Sequence, residues 1–169
     1  MTLEFRRLTA DDLPRLHEWL QREHVKQWWS KRETLEDVVD HYLPSIEGRE
    51  PTDLYAIVVN DRPIGFIQTY KVADHVEYRD LVDVEDGVAG VDLFIADVEL
   101  TGRGIGTEAL TRFVDDVVFG DAEIHACIAD PDAENVASLR AFGKAGFHEV
   151  RLFVDPSDER MHTLLRRDR

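Results

Sequence analysis

Cysteine is nearly absent from this 169-residue chain, where Cys127 is the only one. A single thiol can form no internal disulfide and no cysteine metal cluster, and its apolar, strand-like surroundings read as those of a small buried residue. Long apolar runs are missing, as is a basic N-terminal region followed by an apolar one, so a chain without a membrane span, located in the cytoplasm, is expected. His17, His24, His41, His75, His125, His148 and His162 show no close ligand spacing such as H-E-x-x-H, and no metal is expected. No internal repeat, low-complexity segment or domain boundary stands out. Lysine occurs only at 26, 31, 71 and 144, and 20 basic residues oppose 35 acidic ones for a formal charge of −15. That balance argues against nucleic acid as a partner. It favours a small cationic one, because an acidic field concentrates positive ligands. The same acidity suits solubility in a salt-rich cytoplasm, and the two readings are compatible.

What is present is enough apolar sequence, 43% of the residues, for one domain with a sizeable core over 1–169. A short strand over 3–8 precedes a helix expected to start at Asp11, with Pro14 in its first turn and Leu13, Leu16, Trp19 and Leu20 on one face. The stretch 24–29 reads as a loop whose adjacent indoles, Trp28 and Trp29, are either a lid over a ligand or edge-of-core packing. Thr34-Leu35-Glu36-Asp37 is a capping box, and Leu35, Val38, Val39, Tyr42 and Leu43 keep helical spacing up to Pro44. Runs 55–59 and 64–70 read as a hairpin about 60–63. Between Lys71 and Gly90 periodicity fails, predicting a long loop or irregular hairpin that is either functional or a solvated face. A strand over 91–96, a helix reaching Phe119, a buried strand over 123–129, a helix over 135–145 stopped by Gly146, and a hairpin of 147–154 with 161–165 follow. The order is that of a mixed α/β sheet with helices between strands.

Gly102, Gly104 and Gly106 lie between the strand at 91–96 and the next helix. Glycines leave the backbone bare, and the N–H groups of a helix's first turn have no internal partner, which makes an anion site suited to a pyrophosphate. The spacing departs from both common nucleotide loops. A G-x-G-x-x-G count from Gly102 and Gly104 puts Thr107 at the third glycine, and the G-K-[ST] of a P-loop is absent.

The loop resembles the Gln/Arg-x-x-Gly-x-Gly/Ala pattern of the GNAT superfamily of acyl-CoA-dependent N-acetyltransferases. Gly104 and Gly106 match it, and Thr101 stands where Gln or Arg is usual. The run from Asn135 to Phe147 looks like the second GNAT signature, Asn-x-x-Ala-x-x-x-Tyr-x-Lys-x-Gly-Phe, at the family's usual interval. Segments 24–29, 41–46, 63–70 and 87–92 are similar to aminoglycoside 6'-N-acetyltransferases and their siderophore-acylating relatives, so the resemblance covers nearly the whole chain. It implies a single-domain GNAT fold of the α/β (α+β) class, with a mixed, mostly antiparallel sheet flanked by helices. It also implies direct transfer of an acetyl group from acetyl-CoA to an amine of a small, aminoglycoside-like cation. An acyltransferase for a hydroxylamine or siderophore precursor and a non-catalytic acyl-CoA-binding domain are the alternatives. No feature of the sequence specifies an oligomeric state.

On the same resemblance, Asp92 is the base. Leu93, Phe94 and Ile95, the loop residues Thr101, Gly102, Arg103, Gly104, Ile105, Gly106 and Thr107, and Asn135, Ser138, Phe142 and Lys144 hold acetyl-CoA. Trp29, Tyr42, Gln68, Tyr70, Asp92 and Asp130 face the acceptor. Read from the residues alone, Asp92 interrupts an apolar strand, with a strand-end carboxylate accepting backbone bonds as the lesser alternative, and Gln68, Tyr70, Tyr42 and Trp29 have core packing as their alternative. An ordinary aspartate pKa of about 3.9 is low for proton removal, so either burial raises it or the residue holds and polarises an ammonium group. One departure concerns Phe142, which occupies the place of the family's tyrosine general acid, while Tyr42, Tyr55, Tyr70 and Tyr78 all come far earlier. Loss of a general acid costs about 10²–10⁴ in rate, but a thiol with a pKa near 8.5 also departs as the anion. The 71–90 segment lacks the tryptophans of the aminoglycoside enzymes, which leaves the acceptor open.

Overall fold

The computed structural model describes residues 1–29 and 32–169. In chain order its elements are β1 (Leu3–Arg7), α1 (Leu13–Leu20), α2 (Glu23–Lys26), α3 (Leu35–Ile46), β2 (Asp53–Val59), β3 (Arg62–Lys71), α4 (Val76–Val82), β4 (Val88–Ile95), α5 (Ile105–Phe113), β5 (Ala126–Ala129), α6 (Val136–Lys144), β6 (His148–Asp155) and β7 (Arg160–Asp168). The strands are ordered β1-β2-β3-β4-β5-β7-β6. β1–β2, β2–β3, β5–β7 and β6–β7 are antiparallel and β4–β5 is parallel, the mixed, mostly antiparallel sheet expected. Two compact units divide the chain, Met1–Thr69 with Asp92–Thr101 and Tyr70–Val91 with Gly102–Arg169.

In the first unit, the helical run opens one residue before Asp11. The Thr9 N–H donates to Asp12 Oδ2 at 2.8 Å, closing a turn over Ala10–Asp12 that leads into α1. Arg6 and Arg15 also reach the buried Asp12, at 2.9 and 3.2 Å, and the Arg6 hydrogen bond holds its carboxyl below the usual range. Leu13, Leu16, Trp19 and Leu20 are buried as their spacing predicts. The capping box at α3 is present in both directions, Asp37 N to Thr34 Oγ1 at 3.0 Å and Thr34 N to Asp37 Oδ2 at 3.2 Å. α3 runs past Pro44 to Ile46. In the last turn the proline forgoes only one bond, and its carbonyl accepts from Arg49 N at 2.8 Å. The hairpin turn is tighter than 60–63. Asn60 and Asp61 take left-handed φ of 49° and 65° and pair Val59 directly with Arg62, as a two-residue turn requires. Gly65 on β3 lies so near β4 that a Cβ there would press on the Phe94 carbonyl oxygen and sit 3.2 Å from Ile95 Cα.

The second unit corrects the reading of 71–90. A turn at Val72–Asp74 and then α4 occupy the middle, and β4 begins at Val88. Val72 and Val82 are the buried anchors of this segment, too sparse along a charged stretch to register as a period. β5 is shorter than 123–129 but buried throughout, as its unbroken apolar run predicts. Its ladder with β4 ends at Gly90↔Ile128, and β4 continues to Ile95. Asn135 caps α6 by accepting from Ser138 N at 3.2 Å, and Gly146 ends the helix with φ 94°. α5 stops at Phe113, and a π-helical turn over Val114–Val118 completes the run toward Phe119. The apolar cluster of this unit joins Val72, Val82, Val88, Ile128, Phe153 and Leu164.

Candidate active site

In the first unit the end of β4 carries the reactive candidates. Asp92 is half-buried, and Gln68 of β3 donates from Nε2 to Asp92 Oδ2 at 2.9 Å, which fixes the carboxylate's direction. Trp29 is not a lid. Its indole meets Phe94 at 5.0 Å and Phe66 at 5.9 Å, both edge-on, and its N–H donates to the Tyr42 hydroxyl at 3.2 Å. Tyr42 is buried, which pushes its hydroxyl pKa above the ordinary value; the Trp29 hydrogen bond opposes the rise and the charge of Asp92 adds to it. Phe94 points into this aromatic cluster, so only its main chain can serve a cofactor. Side chains from the α2 segment take the carbonyls of the strand's last residue and of the residue after it: His24 Nε2 lies 2.9 Å from Ile95 O, and Arg22 Nη1 donates to Ala96 O at 2.7 Å. Neither residue had a sequence signal for this role, since each is spaced more than seventy positions from its partner.

The glycine loop suits an anion. Gly102 and Gly104 hold φ of 72° and 81°, a left-handed conformation that costs other residues about 1–2 kcal/mol. A Cβ on either would meet no atom within 4 Å, so glycine here keeps a bare main-chain surface rather than relieving a clash. Thr101 Oγ1 donates to Val98 O at 2.7 Å, and residues 101–104 are exposed. Gly104 is the N-cap of α5, and Ile105, Gly106 and Thr107 form its first turn, whose N–H groups lack helical partners. This backbone fits a pyrophosphate such as that of coenzyme A.

Elsewhere in the second unit, Asp130 follows β5 directly and accepts the Tyr78 hydroxyl on Oδ1 at 2.6 Å. Tyr70 packs over Gly90 and edge-on against His75 and Tyr78, at 5.0 and 5.9 Å. Phe142 is 3% exposed with its ring 5.0 Å from Phe147, which makes it core. Lys144 ends α6 in an exposed position.

Residues 9–154 match the acetyltransferase (GNAT) domain family. The chain belongs to the GNAT acetyltransferase family. It is an acyl-CoA-dependent N-acyltransferase. The aminoglycoside N(6')-acetyltransferase type 1 of Klebsiella pneumoniae is 33% identical over 158 residues, 92% of this chain and 78% of that protein. Among solved structures, aminoglycoside acetyltransferase AAC(6')-Ib with paromomycin and acetyl-CoA superposes with a TM-score of 0.90 at 30% identity, covering all of this chain and 94% of that one. The same enzyme with coenzyme A and kanamycin gives 0.89 at 30% identity, covering 99% and 95%. This GNAT chain has, among its described residues, no helix long and apolar enough to cross a membrane. Asp130 of this GNAT chain has a further neighbour that sequence reading missed, His162; its only sequence cue is the nearby pair Asp155 and Asp158.

Proposed function

We propose that this GNAT enzyme acetylates a primary amine of an aminoglycoside-like polycation in the cytoplasm, by direct transfer from acetyl-CoA within one domain over 1–169. The carrying observation is Asp92 on β4, oriented by Gln68, one short loop ahead of a glycine-rich anion cradle. The thioester supplies an activated acetyl carbonyl and a thiol leaving group. The bare backbone of 101–107 takes the diphosphate, with Arg103 adding positive charge. The main chain of Leu93, Phe94 and Ile95 orients the acyl arm and offers N–H groups to a developing oxyanion. Asn135, Ser138, Phe142 and Lys144 of the second signature complete the cofactor side: the Asn135 cap on Ser138 N and the buried Phe142 hold α6 in place, and the exposed Lys144 brings positive charge to coenzyme A. Asp92 receives the acceptor ammonium and draws off its proton. Tyr42 and Trp29 stiffen the apolar wall behind it, and Tyr70 and Asp130 add acceptor contacts. With a buried phenylalanine at 142, that position offers no hydroxyl to the departing thiolate, which leaves as the anion and takes its proton from water.

The test is thiol release from acetyl-CoA with kanamycin, spermidine or hydroxylysine, comparing the parent with Asp92→Asn. Release with kanamycin that drops about 10²–10⁴-fold in Asp92→Asn is the expected result. Equal rates in both proteins would remove Asp92 from the mechanism. Release confined to the hydroxylysine would transfer the assignment to siderophore-type acylation.

A further inference from the structure

His162, the third residue of β7, is 9% exposed. It forms an isolated antiparallel bridge with Asp132, and Thr163 N donates to Pro131 O at 3.0 Å, so the backbone pins the histidine beside the residues that follow β5. Its Nδ1 lies 2.7 Å from the Asp130 main-chain oxygen and 3.2 Å from Asp130 Oδ2. Its Nε2 lies 2.8 Å from Asp158 Oδ2 and 4.0 Å from Asp155 Oδ2. Each ring nitrogen thus faces an acceptor, and a neutral imidazole has only one N–H to give. The imidazolium satisfies both sides. Its pKa is accordingly pushed up to about 10, first by the hydrogen bond to Asp130.

Asp130, Asp155 and His162 also lie close enough to suggest a metal site. The two carboxylates stand at opposite ring nitrogens, however, so an ion on either nitrogen would have one of them across the ring. The arrangement suits two protons better than one cation. Asp130 Oδ1 meanwhile accepts from Tyr78 of α4, so its two oxygens take donors from different elements while 12% of the side chain remains exposed.

We propose that His162 is a positioning residue for acceptor recognition: with Tyr78 it fixes the Asp130 carboxylate in one direction and offsets part of the charge that Asp130, Asp155 and Asp158 bring together. This rests on Asp130 serving the acceptor as proposed above. A carboxylate held in this way meets an ammonium of a polycation without first losing rotamer freedom, so its effect falls on acceptor binding and not on the acetyl-transfer step.

The experiment has two arms on the full chain. Histidine ring ¹⁵N–¹H spectra from pH 5 to 9 should show one imidazolium signal, absent in His162→Gln, that does not titrate; a His162 signal titrating near pH 6.5 overturns the proposal. In steady-state kinetics, His162→Gln should raise the KM for kanamycin about tenfold while kcat and the KM for acetyl-CoA stay within about twofold. Tyr78→Phe, which removes the other donor to Asp130, should act the same way, and His162→Gln combined with Asp130→Asn should be no worse than Asp130→Asn alone. A fall in kcat with unchanged KM, or additive effects in the double variant, refutes it. If Asp130→Asn leaves the kanamycin KM unchanged, the acceptor role of Asp130 and this inference fall together. Loss of turnover in Asp92→Asn would still uphold the acetyl-transfer reading.

Discussion

Gly65→Ala is a sharp test of how the reacting strand is held. The added methyl would press on the Phe94 carbonyl oxygen and lie 3.2 Å from Ile95 Cα, both main-chain atoms of β4. Carbon–oxygen contacts become comfortable only near their optimum, so the strand must retreat by about 1 Å. Overpacking of this kind costs about 1–3 kcal/mol, and no flexible side chain is available to yield, which points to the upper end. For a chain of this size that is a fall in Tm of about 6–12 °C. Because β4 also carries Asp92 and the main chain proposed to orient the thioester, a 1 Å displacement should lower kcat/KM by about 10². Gly143→Ala is the matched comparison. It sits inside α6 with no atom within 4 Å of its Cβ, and should stabilise by about 0.8–1 kcal/mol. Thermal melts and thiol-release kinetics on the two variants decide the matter. A Gly65→Ala protein that melts within 1 °C of the parent, as an unchanged enzyme would within ordinary error, and turns over at the parent's rate would refute the claim that close β3–β4 approach positions the site.

Two further outcomes follow from the geometry. Asp12→Asn should cost about 1–2 kcal/mol at pH 7 by urea melts. The folded pKa of Asp12 is depressed, so its stabilisation is present above the unfolded value near 3.9 and is lost as pH falls through the folded one; the gap between parent and variant should therefore narrow at pH 3. Gly104→Val places a branched side chain at φ 81° in the anion cradle, and should raise the KM for acetyl-CoA at least tenfold while leaving the kanamycin KM near the parent's; an unchanged acetyl-CoA KM would move the diphosphate elsewhere.

Much of the architecture was legible because its signals are local. The Thr34–Asp37 box, the hairpin at Asn60 and Asp61, and the stop at Gly146 each lie within a few residues, where backbone preference decides the outcome. α4 was hidden because Val82 is its one buried residue while Val76 at its start is exposed, which leaves no apolar period to read. Trp29 was ambiguous because its partners, Tyr42, Phe66 and Phe94, come from three distant elements. The site divides along the same line. Asp92 and the glycines were marked by motif, whereas Gln68 on Asp92 and His162 on Asp130 are pairings 24 and 32 residues apart that only the fold creates. Asn135 stands in the second signature, and its contribution in the structure is the cap on α6.

The grip of Arg22 and His24 on the carbonyls of Ala96 and Ile95, where β4 ends, gives those two partly accessible residues the status of a hinge pin. In a library selected for resistance to an aminoglycoside, positions 22 and 24 should tolerate as little change as the interior, whereas neighbouring Glu23 and Gln27, exposed on the same segment, should vary widely.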